Sequence, residues 1–170
     1  MAENPIAERA DDVARDPLIV ANWSNAPFSF TRDVPIGISM EPTRRVLVVD
    51  DDEALRSAYS RVLTKEGYTV HMAASAEEAL AYVKEERPDA ILLDLRMPLI
   101  NGVGFLYRLR QDPANQGIAV ALITGETTLD ESTISDLREL SAQVWHKPLS
   151  LDDIRRVTRA LLNPGASPTL

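Results

Sequence analysis

The stretch that decides the fold is residues 46–52, which read VLVVDDD. Its first four residues are apolar and mostly β-branched, which is typical of a strand buried on both faces of a parallel sheet. Three carboxylates, Asp50, Asp51 and Asp52, follow this run without a break. In open α/β sheets, binding sites lie beyond the carboxyl ends of the strands. The stretch therefore predicts a buried strand and, directly after it, one part of a functional site.

A strand–helix unit of this kind repeats five times along residues 44–163. Each short apolar run is followed by apolar residues at helical spacing. Ser75 with Glu78, and Ser150 with Asp153, have the spacing of capping boxes at the starts of two helices. The alternation predicts an α/β fold, a doubly wound five-stranded parallel sheet with helices on both faces, of the flavodoxin-like type. The strands are predicted at 46–49, 68–72, 90–93, 118–123 and 143–145, and the helices near 55–63, 75–86, 102–110, 129–140 and 150–162.

Residues 1–43 differ from the rest in composition. They contain seven acidic and three basic residues and no lasting apolar period. We therefore expect an acidic, flexible N-terminal arm there, and a short C-terminal tail at 164–170. Three aromatic residues, Trp23, Phe28 and Phe30, leave open the alternative that the arm docks on the domain or on a partner.

Composition excludes several kinds of site and partner. The chain has 18 Lys and Arg against 26 Asp and Glu, a net charge of -8, which argues against nucleic acid and against an anionic membrane surface as partners. It has no cysteine and only two histidines, so disulfides, thiolate nucleophiles and cysteine-ligated or multi-histidine metal sites are excluded. The N-terminus lacks the basic and apolar regions of a signal peptide, and no apolar run approaches the roughly 20 residues that span a bilayer. We expect a soluble, cytoplasmic protein.

Chemically active side chains follow four of the five predicted strands. Asp50 and Asp51 follow the first strand, Asp94 the third, Thr124 the fourth and Lys147 the fifth. Taken singly, each has an ordinary explanation, such as a helix cap or a solvated loop. Together, they would place carboxylates that repel one another on one rim of the sheet. A cation must compensate, and Mg²⁺ suits a site made of oxygen ligands and water, while Lys147 supplies a second positive charge.

Four short motifs resemble the receiver domain of two-component response regulators. They are VVDD at 48–51, LLDLRMP at 92–98 with Gly102 behind it, Thr124-Gly125, and Lys147-Pro148. Each motif is weak by itself, whereas all four in this order, each at the end of a strand, are highly specific. The resemblance covers nearly all of 44–163 and is to the stand-alone, chemotaxis-regulator-like members of the family.

The resemblance implies a phosphoryl-accepting site that holds magnesium. Asp94 would be the phosphoacceptor and would take its phosphoryl group from a phosphohistidine. Asp51 would bind Mg²⁺ directly and Asp50 through water. Asp94 itself and the backbone carbonyl of Arg96 would be further metal ligands. The chemistry is consistent with these roles, because a carboxylate is a competent phosphoryl nucleophile and gives a mixed anhydride.

Further roles are implied for three positions around the acceptor. Lys147 would pair with the phosphoryl oxygens, and Thr124 would hydrogen-bond to the phosphoryl group once it is attached. Gly125 would leave room for that group, and the Lys147–Pro148 peptide bond would be cis. A negatively charged transition state needs cations more than it needs a proton shuttle, so the lack of a nearby histidine or arginine finger is no objection.

The last predicted strand departs from the family pattern. In the family, the position three residues before the lysine is often an aromatic that rotates inward together with the threonine. Here that position is Val144, so the resemblance does not predict the usual exchange for this chain. The aromatic is Trp145, which period-two geometry places on the opposite side of the strand. We interpret His146 as an ordinary histidine, and Asp52 with Glu53 as the start of a helix rather than part of the site.

These expectations describe a single-domain response regulator, since residues 163–170 leave no room for an output domain. It would accept a phosphoryl group from a histidine kinase or histidine phosphotransfer protein and signal to an unknown downstream protein through the face at 129–162. Mg²⁺-dependent self-phosphorylation and slow self-dephosphorylation would be its only catalysis.

A phosphate sink or relay intermediate is the first alternative. The carboxylates after the first strand disfavour a flavodoxin-like small-molecule binder, and Arg96 disfavours a haloacid-dehalogenase-like phosphatase, which has an aspartate at that position.

Overall fold

The computed structural model describes residues 43–163, which form one sheet of five parallel strands with helices packed on both faces. The fold class is therefore as predicted. The expected tail at 164–170 and the expected arm, with Trp23, Phe28 and Phe30, lie outside the described residues apart from residue 43. The strands are β1 (Arg45–Val49), β2 (Thr69–Ala73), β3 (Ala90–Asp94), β4 (Ala119–Thr124) and β5 (Ala142–His146). The helices are α1 (Glu53–Lys65), α2 (Ala76–Glu86), α3 (Gly102–Arg110), α4 (Glu131–Glu139) and α5 (Leu151–Leu162), with a 3-10 turn at Pro113–Asn115.

The strand order β2-β1-β3-β4-β5 fixes the position of the site. The chain passes from β1 outward to β2 and then returns to β3 on the other side of β1, so the direction of winding reverses between β1 and β3. These two strands pair in parallel with Val49 opposite Leu93, and the next residue in each case is an aspartate, Asp50 or Asp94. The two aspartates are therefore neighbours at the topological switch point, where α/β sheets open a crevice.

Alternation along β1 divides the apolar core into two layers. Leu47 and Val49 belong to the layer formed with α2, α3 and α4, whereas Val46 and Val48 belong to the layer formed with α1 and α5. All four side chains are buried. This is why β1 is apolar at every position from Val46 to Val49 instead of alternating with polar residues. Burial on both faces makes β1 a rigid support for the residues that follow it.

Side-chain caps fix where the helices begin. Ser150 and Asp153 form the predicted capping box at the start of α5. At the start of α2, Ser75 Oγ accepts from the Glu78 N–H as predicted. The Glu78 carboxylate, however, accepts from the N–H of Ala74. The second box is therefore only half formed, because the glutamate reaches one residue beyond the cap.

The start of α4 is later than the sequence predicted. Helical spacing indicated 129–140, but the helix begins after its N-cap, Asp130. The Asp130 carboxylate accepts hydrogen bonds from the Ser132 hydroxyl and from the N–H and hydroxyl of Thr133, which lowers its pKa to about 2. Leu129 therefore precedes the helix and packs against the core from the loop.

The other boundaries differ from the predictions by about one or two residues, which is the usual uncertainty where hydrogen bonding rather than side-chain pattern ends an element. Across residues 43–163, no helix combines the length and the apolar character needed to cross a membrane.

Candidate functional site

Lys147 joins two buried carboxylates at the switch point. Its Nζ lies 2.6 Å from Asp94 Oδ1 and 3.2 Å from Asp50 Oδ2. Asp50 and Asp94 are only 4% and 6% exposed. The lysine reaches them from the loop after β5, past the end of β4. Three of the residues that the sequence placed at strand ends are therefore in direct contact.

Burial and the ion pairs act in opposite directions on these groups. Burial raises the pKa of Asp94, and the hydrogen bond and charge of Lys147 offset part of that rise. Burial by itself lowers the pKa of Lys147, but its hydrogen bond to Asp94 and the charges of Asp50 and Asp94 outweigh it, so that the pKa is raised. One ammonium between two carboxylates leaves a net negative charge in a largely buried place. Such a charge favours the approach of a further cation.

Asp51 lies apart from this pair. It is exposed and lines an open cavity of about 570 Å³, together with Arg96, Met97, Glu126 and Asp130. Within residues 43–163, no three His, Cys, Asp or Glu side chains are grouped closely enough to form a ready-made metal centre. Of the three carboxylates that the resemblance assigns to magnesium, Asp50 and Asp94 are therefore a buried pair, and Asp51 lies at the neighbouring cavity.

The backbone that follows β1 is fixed by local hydrogen bonds. Asp50 Oδ1 accepts from the N–H of Asp52 at 2.9 Å, and the Asp50 carbonyl accepts from Arg56 Nη1 at 2.6 Å. The Asp52 carboxylate accepts from the N–H groups of Ala54 and Leu55 and so caps α1. Asp52 is thus the start of a helix, as its sequence position indicated. Arg56 was not among the predicted site residues, because no spacing distinguishes it from other polar residues of an amphipathic helix.

Thr124 ends β4 and is fully buried. Its Oγ1 accepts from the N–H of Glu126 at 3.0 Å, and its carbonyl accepts from the N–H of Lys147 at 2.7 Å. A Cβ added to Gly125 would meet no atom within 4 Å. The segment after β4 therefore has a fixed threonine followed by open space.

An ion pair connects two loops at the rim. Arg96 Nε, after β3, donates to Glu126 Oε1, after β4, at 2.8 Å. The side chain of Arg96 thus makes this ion pair, and its backbone N–H donates to the Asp94 carboxylate, whereas the resemblance assigned a role to its carbonyl. Glu126 was not among the site residues predicted from the sequence. Its position two residues after Thr124 was the available signal.

Gly102 lets the start of α3 pack directly against the strand that ends in Asp94. A Cβ on Gly102 would lie 2.8 Å from Leu122 Cδ1 and 2.9 Å from the Asp94 carbonyl oxygen, which is closer than real Cβ contacts. The Gly102 N–H also donates to the carbonyl of Leu95 at 2.9 Å. The absence of a side chain at Gly102 therefore sets the distance between α3 and Asp94.

The two faces of β5 differ, as period-two geometry predicted. Val144 is 36% exposed and borders a groove beside α4. Trp145 packs in the core layer of α1 and α5. The aromatic side chain of this strand thus lies on the face away from α4. The Lys147–Pro148 peptide bond that follows is cis, as the resemblance implied.

Comparison with known sequences gives a consistent result. Residues 46–159 match the family model described as the response regulator receiver domain. Sporulation initiation phosphotransferase F of Bacillus subtilis is 34% identical over 119 residues, which are 69% of this chain and 93% of that protein. Response regulator MprA of Mycobacterium ulcerans is 34% identical over 118 residues, which are 69% of this chain but only 50% of that protein.

Solved structures share the same architecture. The chemotaxis protein CheY4 of Vibrio cholerae gives a TM-score of 0.65 at 28% identity, covering 71% of this chain and 99% of that chain. A putative response regulator of Chloroflexus aurantiacus gives a TM-score of 0.63 at 30% identity, covering 71% of this chain and 98% of that chain. The similarity in both cases spans nearly the whole of the other protein.

Proposed function

The chain belongs to the receiver-domain family of response regulators, and from this premise we propose that Asp94 accepts a phosphoryl group from a phosphohistidine of a partner protein. The observation that supports this most strongly is the setting of Asp94. It is buried at the switch point of the sheet, with Lys147 Nζ 2.6 Å from one of its carboxylate oxygens. The carboxylate is therefore a nucleophile that already has a cation beside it.

The proposed transfer forms one bond and breaks one. A carboxylate oxygen of Asp94 attacks phosphorus, and the phosphorus–nitrogen bond of the phosphohistidine breaks. Its electron pair remains on the partner's imidazole, and the product is an acyl phosphate. Lys147 pairs with the phosphoryl oxygens, and Thr124 supplies a hydroxyl hydrogen bond from the end of β4. Stabilisation of negative charge is the main requirement of phosphoryl transfer.

Mg²⁺ is the cofactor that we infer for this site. The assigned donors are all oxygens, from Asp50, Asp51, Asp94 and the carbonyl of Arg96, which is the ligand type that magnesium prefers, with water completing the shell. The negative charge that remains after Lys147 has paired also favours a divalent cation. When bound, Mg²⁺ would neutralise charge on the transferred phosphoryl group.

The variant Asp51→Ala tests the magnesium assignment. Removing this exposed carboxylate relieves repulsion next to Asp50, so stability in EDTA stays the same or rises. We expect Mg²⁺ affinity, measured by calorimetry, to fall about tenfold or more, a loss equal to at least about 1.4 kcal/mol. Asp112→Asn is the control, because it removes a carboxylate that caps the 3-10 turn and can be replaced there by asparagine. Equal magnesium affinity in the wild type and Asp51→Ala would contradict the assignment.

The partners follow from the chemistry of the transfer. The donor is a histidine kinase or a histidine phosphotransfer protein, and the receiver of the signal is a downstream protein that contacts the face of α4, β5 and α5. Catalysis by the chain itself is confined to taking up the phosphoryl group and hydrolysing it slowly. Phosphorylation acts by shifting the populations of two arrangements of that face.

Incubation of the full chain with acetyl phosphate and Mg²⁺ tests the proposed function. Mass spectrometry of the intact protein should show one added phosphoryl group, which EDTA prevents. Asp94→Asn should remove the labelling, while Asp112→Asn should leave it unchanged. Full labelling of Asp94→Asn, or labelling that does not need magnesium, would refute the proposal.

A relay role without switching output is the second candidate. Two observations favour it: the relative named sporulation initiation phosphotransferase F is 34% identical over 119 residues, and Val144 replaces the aromatic of the usual switch. A relay intermediate would return its phosphoryl group to a histidine of a second protein. Binding of a downstream protein that depends on phosphorylation would instead support the single-domain regulator.

A further inference from the structure

We propose that the side chain of His146 responds to movement of Thr124, because both residues hydrogen-bond to the backbone of Glu126. The inference rests on the proposed function, because the event that moves Thr124 is the arrival of a phosphoryl group on Asp94. It gives His146 a positioning role that the sequence did not indicate.

Glu126 connects Thr124 to His146 through its backbone N–H and its backbone carbonyl. Its N–H donates to Thr124 Oγ1 at 3.0 Å, and its carbonyl oxygen lies 2.9 Å from His146 Nδ1. A carbonyl oxygen can only accept, so Nδ1 must carry the proton in this arrangement. The neutral ring is therefore held in the Nδ1–H form, with Nε2 unprotonated.

His146 supplies a polar contact to the loop after β4, which Val144 cannot make. Both residues lie on the same face of β5, because side chains two residues apart in a strand point the same way, and both border the groove of about 430 Å³ beside α4. Val144 has no polar atom with which to bind the loop after β4. The side-chain link between that loop and β5 is therefore made by His146, next to the backbone bond from Lys147 N–H to the Thr124 carbonyl.

Phosphorylation would break the hydrogen bond between the Glu126 N–H and Thr124 Oγ1, which is one half of this link. The backbone of Thr124 is held by Lys147, so the movement is confined to the threonine side chain and the loop beyond it. When Thr124 Oγ1 turns toward a phosphoryl group on Asp94, it leaves the N–H of Glu126. The peptide groups of Glu126 then reorient, and the carbonyl no longer accepts from His146. The released ring can enter the groove beside Val144, so a change at the acceptor reaches the α4 face of β5 without an aromatic residue at position 144.

The tautomer of His146 reports this event directly. Nitrogen-15 NMR of the full chain at pH 8 distinguishes a protonated from an unprotonated ring nitrogen. We expect Nδ1–H to dominate at His146 in the free protein. Addition of Mg²⁺ and beryllofluoride, as a phosphoryl mimic, should remove that preference. His71 is the internal control, because it stacks on Tyr82 with the ring centroids 3.9 Å apart and lies on β2, at the opposite edge of the sheet.

The outcomes separate this inference from the proposed function. An Nε2–H form of His146 in the free protein overturns the inference. So does a ring that is unchanged by beryllofluoride while the amide signals of Thr124 and Glu126 shift, a result that leaves the proposed function standing. If beryllofluoride shifts neither Asp94 nor Thr124, the proposed function fails and the inference fails with it.

Two variants provide an independent test. Asparagine can present an N–H where His146 presents Nδ1–H, whereas phenylalanine keeps the ring and has no donor. We expect His146→Phe to move the amide signals of Thr127 and Thr128, without any mimic, part of the way toward their beryllofluoride positions. His146→Asn should keep them at the wild-type positions. Identical spectra of the two variants in this loop would overturn the inference.

Discussion

At the scale of single residues, the charge balance of the site depends on Lys147. It is the cation that contacts both buried carboxylates, Asp50 and Asp94. Without it, two neighbouring carboxylates would have to remain ionised in a place with little water, and their mutual repulsion would raise the pKa of at least one of them. The same ammonium thus stabilises the free protein and prepares Asp94 for a negatively charged substrate.

Lys147→Met should destabilise the protein in a pH-dependent way. Loss of the charged partner should lower the free energy of unfolding by about 1–3 kcal/mol at pH 7 in EDTA, since the lysine side chain is only 26% exposed. Burial already raises the pKa of Asp94, and the substitution raises it further. A folded pKa above the unfolded value gives stability at low pH that is lost as pH rises through the folded value. The deficit should therefore be smaller at pH 4 than at pH 7.

Urea unfolding at the two pH values measures this difference. Lys84→Met is the matched control, because Lys84 is exposed on α2, and it should cost little at either pH. A deficit for Lys147→Met that is the same at pH 4 and pH 7 would mean that the lysine acts by packing alone.

At the scale of elements, the sequence predicted the number and kind of helices and strands better than their ends. Apolar periodicity depends on which face is buried, and this identified the five strands and five α-helices of residues 43–163, but not the 3-10 turn at Pro113–Asn115. Ends depend on local hydrogen bonds instead. Asp130 accepts from the residues that follow it, so α4 starts later than its apolar pattern suggested. Glu78 bonds to Ala74 instead of Ser75, which no spacing rule distinguishes.

Gly102→Ala should reveal how closely α3 packs on β3. The new methyl group would meet Leu122 Cδ1 at 2.8 Å and the Asp94 carbonyl oxygen at 2.9 Å, so the helix or the strand end must shift. We expect a loss of about 1–3 kcal/mol in the free energy of unfolding, together with slower phosphorylation of Asp94. Urea unfolding and acetyl phosphate labelling measure the two effects.

Gly117→Ala is the control for that variant, because a Cβ there meets no atom within 4 Å. It should leave both stability and labelling near the wild-type values. If Gly102→Ala behaves in the same way, the close approach of α3 to β3 is not needed for the site.

At the scale of the whole molecule, elements between Arg45 and Leu162 build two core layers, one on each face of the sheet. We therefore predict that residues 1–43 are dispensable for folding and for phosphorylation. A chain of residues 44–170 should melt within a few degrees of the full chain and should be labelled equally by acetyl phosphate. Calorimetry and mass spectrometry measure the two properties.

Loss of several kcal/mol on truncation would contradict that prediction. It would indicate that Trp23, Phe28 and Phe30 are buried in the full chain, since each aromatic contributes about 1.5–3 kcal/mol on full burial. The arm would then be part of the folded structure.

The sequence indicated which residues meet at the rim of the sheet but not which ion pairs form there. Strand ends placed Asp50, Asp94 and Lys147 at one edge of the sheet, and the structure brings them into contact. The ion pair of Arg96 with Glu126 joins two different loops. Its formation depends on the path of both loops, which apolar patterns do not describe.

Chemical identification of the modified residue tests most directly whether Asp94 is the phosphoacceptor. The full chain is labelled with acetyl phosphate and Mg²⁺ and then treated with sodium borohydride, which reduces an acyl phosphate to an alcohol. Peptide mass spectrometry should then find homoserine at position 94 and unmodified aspartate at Asp50, Asp51 and Asp52. Homoserine at one of those three positions instead, or a phosphoryl group on a hydroxyl side chain that borohydride does not remove, would contradict the account.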